Sequence, residues 1–335
     1  MELIDFMVID KNRSTSKYKQ LVASTIEAIS SGLLQQGDRM PSINEVCDKL
    51  SLSRDTVLSA YNELKSRGIL SAHPGKAYYV TSTNVSVEQN IMLLFDELNA
   101  FKEDLYRAFM QTIGEQANVD LYFHNFNRKI FSQLLADNNL KYTSYVVMPA
   151  LFTGISEELA RLSGRVYILD QLPLELTNTY PAVYQNFERQ VYSGLMEACD
   201  AIAKYRKLVS VYPGGKEPDT QLRGFLRFCQ DTGTAFEVVS DVKGRRPQRG
   251  EAYLVVNDAD LVEAVKWARE QGLTIGTDVG IISLNDTSLK EVVANGITTI
   301  STNFSAMGKA IGELVAQKGS AQIENPFYLI KRGSL

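Results

Sequence analysis

The sequence predicts an α/β protein in two parts, a small winged helix-turn-helix followed by a larger two-lobed domain of parallel βα units. Three observations carry this. Two short stretches of helical periodicity before residue 68 are joined by a connection of about three residues. From Ile91 onward, apolar runs of strand length alternate with helical stretches. These repeats fill the rest of the 335-residue chain, more than one ordinary doubly wound domain holds, and so divide into two similar lobes.

The first helix is read from Tyr18, Leu21, Val22, Ile26 and Ile29, with Gly32 closing it. After the turn Gln36-Gly37-Asp38-Arg39-Met40-Pro41, Ser42-Ile43-Asn44-Glu45 is a capping box opening a helix that buries Ile43, Val46 and Leu50. Ser53 caps the next helix, with Val57, Tyr61 and Leu64 on one face and Gly68 at its end. Ile69-Leu70, the turn His73-Pro74-Gly75-Lys76, and alternating Tyr78 and Val80 make a β-hairpin. The second helix of such a pair can lie in a major groove.

Over Tyr18 to Val80 the chain resembles the GntR family of winged-helix regulators. The resemblance rests on Gly37-Asp38-Arg39-Met40-Pro41-Ser42, Ser53-Arg54-Asp55-Thr56-Val57, Ala60-Tyr61, Leu64 and Gly68-Ile69-Leu70. It implies DNA contacts from Arg39, Ser42, Ser53, Arg54 and Thr56 and from the wing tip Gly75-Lys76. A helix start favours phosphate through its free N–H groups and dipole, and Arg54 could instead fork onto a guanine edge. Asn44 stands where some members carry an arginine.

Candidate strands in the larger domain are Ile91–Phe95, Asp120–Phe123, Tyr145–Met148, Val166–Leu169, Leu208–Tyr212, Ala235–Val239, Tyr253–Val256 and Gly280–Leu284. Helical periodicity lies between most of them, as over Phe187–Tyr205, Leu222–Cys229 and Leu261–Arg269. Ligands of parallel sheets bind at the strands' carboxyl ends, which draws attention to Asp96, Asn99, Asp170, Gln185, Asn257, Asp258, Asn285 and Asp286. Carboxylates and amides suit hydroxyl groups, which donate and accept. Phe101 is the aromatic candidate for stacking on a sugar face. Trp267 reads as core, and Asp286 as a turn or cap residue. Asp258 has a second reading as the cap of the helix running to Gly272.

The series Val255-Val256-Asn257-Asp258, Asp278 to Asp286, Ile297-Thr298-Thr299-Ile300 and Met307-Gly308 resembles the effector domain of the LacI/GalR family, itself similar to periplasmic sugar-binding proteins. Leu169-Asp170 and Leu222-Arg223-Gly224-Phe225 extend it upstream. The resemblance implies Asp170 and Asp258 as hydroxyl ligands and Thr302 near a hinge. It also implies a sugar-binding arginine three residues before Gly224, where this chain has Gln221, which points to a pentose or deoxyhexose rather than a common hexose. The implied organisation is a winged helix over 1–80, a linker over 81–89 and a periplasmic-binding-protein-like domain over 90–335. Its N-lobe takes about 90–182 and 303–320, its C-lobe about 183–302 and 321–335.

Charge agrees with this division. The chain carries a net −4, yet residues 11–80 hold ten Lys or Arg against six Asp or Glu, as expected of a basic module joined to an acidic one. Three dispersed cysteines, Cys47, Cys199 and Cys229, suit a reducing compartment and neither a disulfide framework nor a zinc site. The acidic start and the lack of a long apolar run suit a cytoplasmic protein. Neither catalytic nor metal-ligating residues are expected, since His124 has no partner motif and Gly214-Gly215-Lys216 lacks phosphate-loop spacing. No cofactor is expected. The expected partners are operator DNA, a monosaccharide effector, and a second copy joined through the lobed domain, with repression relieved by the sugar. The alternatives are an aminotransferase-like domain with pyridoxal phosphate, or an effector that is not a sugar.

Overall fold

The computed structural model describes residues 4–10, 16–73, 77–85, 89–114, 117–139 and 141–335. The chain begins with helices α1 (Lys17–Ser30), α2 (Ile43–Leu50) and α3 (Arg54–Ser66) and strands β1 (Leu70–His73) and β2 (Ala77–Val80). It continues through β3 (Gln89–Phe95), α4 (Ala100–Ile113), β4 (Ala117–Phe123), α5 (Arg128–Asp137), β5 (Ser144–Val147), α6 (Ser156–Ala160) and β6 (Arg165–Asp170). Next come β7 (Ala182–Tyr184), α7 (Phe187–Glu197), α8 (Cys199–Ile202), β8 (Lys207–Val211), α9 (Asp219–Thr232) and β9 (Phe236–Val239). The last elements are β10 (Glu251–Val255), α10 (Asp258–Glu270), β11 (Val279–Leu284), α11 (Ser288–Val292), β12 (Thr298–Thr302), α12 (Phe304–Ala316), β13 (Gln322–Glu324) and β14 (Phe327–Ile330).

Two compact units form. The first comprises residues 1–97, 113–148 and 152–168. Its N-terminal part follows from the local signals in the sequence. Ser42 and Glu45 exchange the two hydrogen bonds of a capping box, Ser53 caps α3, and Ser51 makes the tight turn between α2 and α3 with φ of 51°. Leu21, Val46, Val57, Tyr61 and Leu64 then meet in one core, with Ile4 and Met7 from the preceding segment packed into it. The antiparallel hairpin β1–β2 pairs Leu70 with Val80. Farther along, β6, β5, β3 and β4 lie side by side in parallel, every residue of β5 buried.

The second unit comprises residues 98–112, 149–151 and 169–335. Its six-stranded sheet has the order β14-β12-β11-β10-β8-β9, parallel except for β14. Strands β7 and β13 pair in parallel. The chain passes between this pair and the sheet three times, after Tyr184, after Thr302 and after Glu324. Those passages are tied to one another. Asn325 N–H donates to Tyr184 O at 2.7 Å, Asn303 N–H to Pro326 O at 3.0 Å, and the Asn325 amide to Asn303 O at 3.2 Å. Small residues bring helices together: a Cβ on Gly308 of α12 would collide with the Leu105 carbonyl of α4, and one on Gly224 of α9 with the Glu188 carbonyl of α7.

Several expectations need correction. The helix read over Phe187–Tyr205 breaks at Ala198 into α7 and α8, which turns Ile202 and Tyr205 into the core. Strands β7, β13 and β14 gave no signal, being too short for a period of two to show. Phe101 lies on the first turn of α4 rather than in a polar segment. Asn257, not Asp258, caps α10, accepting from Asp260 N–H at 2.8 Å.

The connection from β9 to β10 is unusual. It crosses β8 to join parallel strands, a task that a helix usually performs, yet residues 240–250 contain none. An ion network holds it instead. Arg245 donates to Glu251 at 2.7 Å and to Glu237 at 2.9 Å, and Lys207 donates to Glu237 at 3.1 Å. The Glu251 side chain is 1% exposed. Arg245 and Lys207 pull the Glu237 carboxyl down to about 2. A depressed carboxyl stabilises the fold above its unfolded pKa near 4.3 and loses that stabilisation as pH falls toward about 2. Breaking a buried pair strands the remaining charge, so Arg245→Ala should destabilise this unit by about 3 kcal/mol, read as a lower urea midpoint. An unchanged midpoint would show that packing alone holds the crossover.

Candidate DNA-reading surface and effector site

The start of α3 presents polar groups in fixed positions. Thr56 N–H donates to Ser53 Oγ at 3.3 Å, and the two hydroxyls lie 2.8 Å apart. Arg54 is exposed and donates to Asn44 Oδ1 at 3.2 Å, so α2 steadies the guanidinium. Ser42 is the cap of α2, and its hydrogen bonds hold the exposed Glu45 carboxyl below its usual range. Arg39 is exposed, with its backbone bridged antiparallel to Tyr79. The turn and α3 are locked together by Tyr61, whose hydroxyl donates to Pro41 O at 2.7 Å and whose ring meets Tyr78 edge-on at 4.9 Å. Gly75 and Lys76 lie outside the described residues.

In the second unit a buried chain of polar groups runs through the passages between strands. Gln190 Nε2 donates to Thr302 Oγ1 at 2.8 Å, Thr302 donates to Gln185 Oε1, and Gln185 Nε2 donates to Asp170 Oδ1. Asp170 is 7% exposed and sits at the end of β6 with φ of 76°. A non-glycine residue held there costs free energy, and such strain concentrates at functional positions. Asn285, at the end of β11, has φ of 58°.

The other candidates fall in different places. Asp96, in the first unit, accepts from Glu97 N–H at 2.6 Å. Asn99 caps α4 by accepting from Lys102 N–H at 3.1 Å. Phe101 stacks on Phe304, ring centres 5.0 Å apart. Gln221 is buried on α9, and its Oε1 has no hydrogen-bond partner. Asp258 is largely exposed and pairs with buried Lys290 at 2.9 Å. Lys290 also donates to Leu284 O at 2.9 Å and Asn285 O at 2.6 Å, which joins Asp258 and Asn285 at one edge of the sheet. Burial lowers the Lys290 ammonium, and Asp258 partly restores it. Asp286 is fastened to Arg332 by two bonds, at 2.6 and 2.8 Å. Trp267 packs against the core with Arg246 over its ring.

Comparison with known proteins fits both halves. Residues 17–80 match the bacterial regulatory proteins of the gntR family, and residues 185–334 match the periplasmic binding protein-like domain. The chain thus joins an N-terminal helix-turn-helix domain of gntR type to a periplasmic-binding-protein-like domain. The chain is 28% identical over 102 residues to the HTH-type transcriptional repressor YtrA of Bacillus subtilis (strain 168), spanning 30% of this chain and 78% of that one. It is 26% identical over 188 residues to the probable fructoselysine utilization operon transcriptional repressor of Escherichia coli (strain K12), spanning 54% and 74%. Its fold is similar to that of a periplasmic binding protein/LacI transcriptional regulator from Alkaliphilus metalliredigens QYMF complexed with D-xylulofuranose. There the TM-score is 0.60 at 13% identity, over 73% of this chain and 98% of that one. The periplasmic-binding-protein match occupies residues that an aminotransferase-like domain would need. No described helix is long and apolar enough to cross a membrane.

Sequence reasoning missed Lys102, Gln190 and Lys290. Lys102 had a usable signal, since a lysine three residues after the capping Asn99, on the first turn, is set against the helix dipole. In the candidate DNA-reading surface, Arg54→Ala should cost about 1–3 kcal/mol of operator affinity if it reads a base, or lower the salt slope by about one if it meets phosphate. Arg39→Ala should lower the salt slope. Fluorescence anisotropy across a salt series decides, and unchanged affinity with an unchanged slope in both variants would remove these residues from the interface.

Proposed function

We propose that this regulator is a cytoplasmic, sugar-responsive repressor with no catalytic role and no cofactor. Two copies, joined through the lobed domain, set two α3 helices on an inverted-repeat operator. The working division is a winged helix over 1–80, a linker over 81–89 and an effector domain over 90–335. A monosaccharide bound at Asp170 and its neighbours weakens the grip on DNA. The observation that carries this reading is the Gln190–Thr302–Gln185–Asp170 chain, which puts a buried carboxylate at a strand end and ties it to two of the three passages between strands. The names of the relatives support a repressor of sugar-related operons, and Gln221 supports a pentose or deoxyhexose.

The test uses full-length protein with an operator selected from random DNA. A sugar that raises the melting temperature should also lower operator affinity. Asp170→Asn keeps a residue that tolerates the left-handed backbone and removes the charge. It should weaken sugar binding by about 1–3 kcal/mol while the unliganded protein still binds DNA. An Asp170→Asn variant that responds to sugar like the wild type would move the site elsewhere. Sedimentation should give a dimer at micromolar concentration, and a monomer both free and on DNA would refute the assembly.

A further inference from the structure

We infer that Asn44, on the first turn of α2, determines base specificity: it orients Arg54 and offers only hydrogen-bond donors to the neighbouring base. This rests on the reading of α3 as the helix that meets operator DNA. Both side chains are exposed, and both stand on backbone that the core fixes. Val46 of α2 and Val57 of α3 are fully buried in one cluster, and the Tyr61 hydroxyl ties α3 to the turn before α2. Across this joint, Arg54 Nη1 donates to Asn44 Oδ1 at 3.2 Å. A guanidinium carries no acceptor, so the amide turns its oxygen toward Arg54 and its Nδ2 away. The carboxylate next to Asn44 is engaged within α2, since Glu45 accepts from the Ser42 N–H at 2.6 Å.

The division of donors and acceptors decides what the pair can read. An untethered asparagine reads adenine in the major groove with both ends of its amide, accepting from N6 and donating to N7. Here the accepting end is taken by Arg54, so Asn44 has only the N–H groups of Nδ2 to offer. Those suit an edge that presents acceptors, guanine through N7 and O6 or thymine through O4, and they are refused by the N4 amine of cytosine. Adenine offers N7 but leaves its N6 amine facing a donor, without an acceptor to meet. Arg54 uses one of its N–H groups on Asn44 and keeps enough for both acceptors of a guanine. The 3.2 Å between the two side chains is close to the rise of ~3.4 Å between successive base pairs. The half-site therefore carries a guanine read by Arg54 beside a guanine or thymine read by Asn44.

The experiment uses the full-length protein and an operator selected from random DNA. Each half-site position is changed to all four bases, and binding is read by fluorescence anisotropy at one salt concentration. Wild type should prefer guanine at one position by at least about fivefold. At the next it should prefer guanine or thymine over cytosine and adenine by roughly 3- to 10-fold. Asn44→Asp keeps an acceptor for Arg54 and removes the donors. It should retain the guanine and turn the next position toward cytosine, whose amine a carboxylate accepts. Arg54→Ala releases the amide, so it should lose the guanine preference and gain adenine at the next position. Preferences are compared within each variant, so a general loss of stability or of phosphate attraction does not mimic these changes. If Arg54→Ala binds too weakly to measure, the Asn44→Asp preferences decide. An Asn44→Asp variant with unchanged preferences, or an Arg54→Ala variant that loses guanine without gaining adenine, overturns the role of Asn44 alone. Failure to select any operator, or an Arg54→Ala variant with wild-type affinity and preferences, overturns this inference together with the reading of α3.

Discussion

Parallel strands impose the constraint on which this protein depends. Each strand must be re-entered from the same end, so every connection crosses the sheet and every strand finishes on one edge. In the second unit that edge collects Asn257 after β10, Asn285 after β11 and Thr302 at the end of β12. Close helix approach makes the crossings compact, as Gly224 does between α7 and α9 and Gly308 between α4 and α12. The polar groups that the crossings deliver to the edge are then the raw material of a binding site.

Delivering them costs stability, and the structure shows how the cost is met. Asp170 and Asn285 hold left-handed backbone, which an optimised scaffold would avoid. Lys290 is almost fully buried but has three oxygen acceptors, so its desolvation is offset by charge-assisted hydrogen bonds. The Gln190–Thr302–Gln185–Asp170 chain is likewise satisfied along its length, and a fully satisfied network rigidifies its surroundings. The Oε1 of Gln221 and the Oδ1 of Asn325 are buried acceptors with no hydrogen-bond partner.

The winged helix was legible almost residue by residue because its signals are local. A capping box, a serine cap and a closing glycine each act within four residues, and Ser42, Ser53 and Gly68 stand where they were read. The long buried strands were legible for the same reason. What escaped was set by distance in the chain. Nothing near Gln190 announces Thr302, 112 residues away, and nothing near Glu237 announces that Arg245 and Glu251 will replace a crossover helix. Asp258 was singled out for its place after a strand. That place is real, but its nearest charge is Lys290, which no local pattern predicts.

These same long-range bonds bear on how binding could reach DNA. An effector shifts a conformational equilibrium only through contacts that differ between the two states, and a shift from mostly one state to mostly the other takes about 5 kcal/mol of differential affinity. A hydroxyl bound to Asp170, as proposed above, would compete with Gln185 for one carboxylate. Gln185 in turn accepts from Thr302, and the passages after Tyr184 and after Thr302 are each pinned to the third through Asn325. A change in the partner of Asp170 therefore acts on the segments that any relative motion of β7 and β12 must bend. Single neutral hydrogen bonds are worth about 1 kcal/mol, so one substitution in this chain cannot carry the whole shift. The switching energy has to be shared among several of its bonds, and the network of three tied passages is the element in this unit that is able to share it.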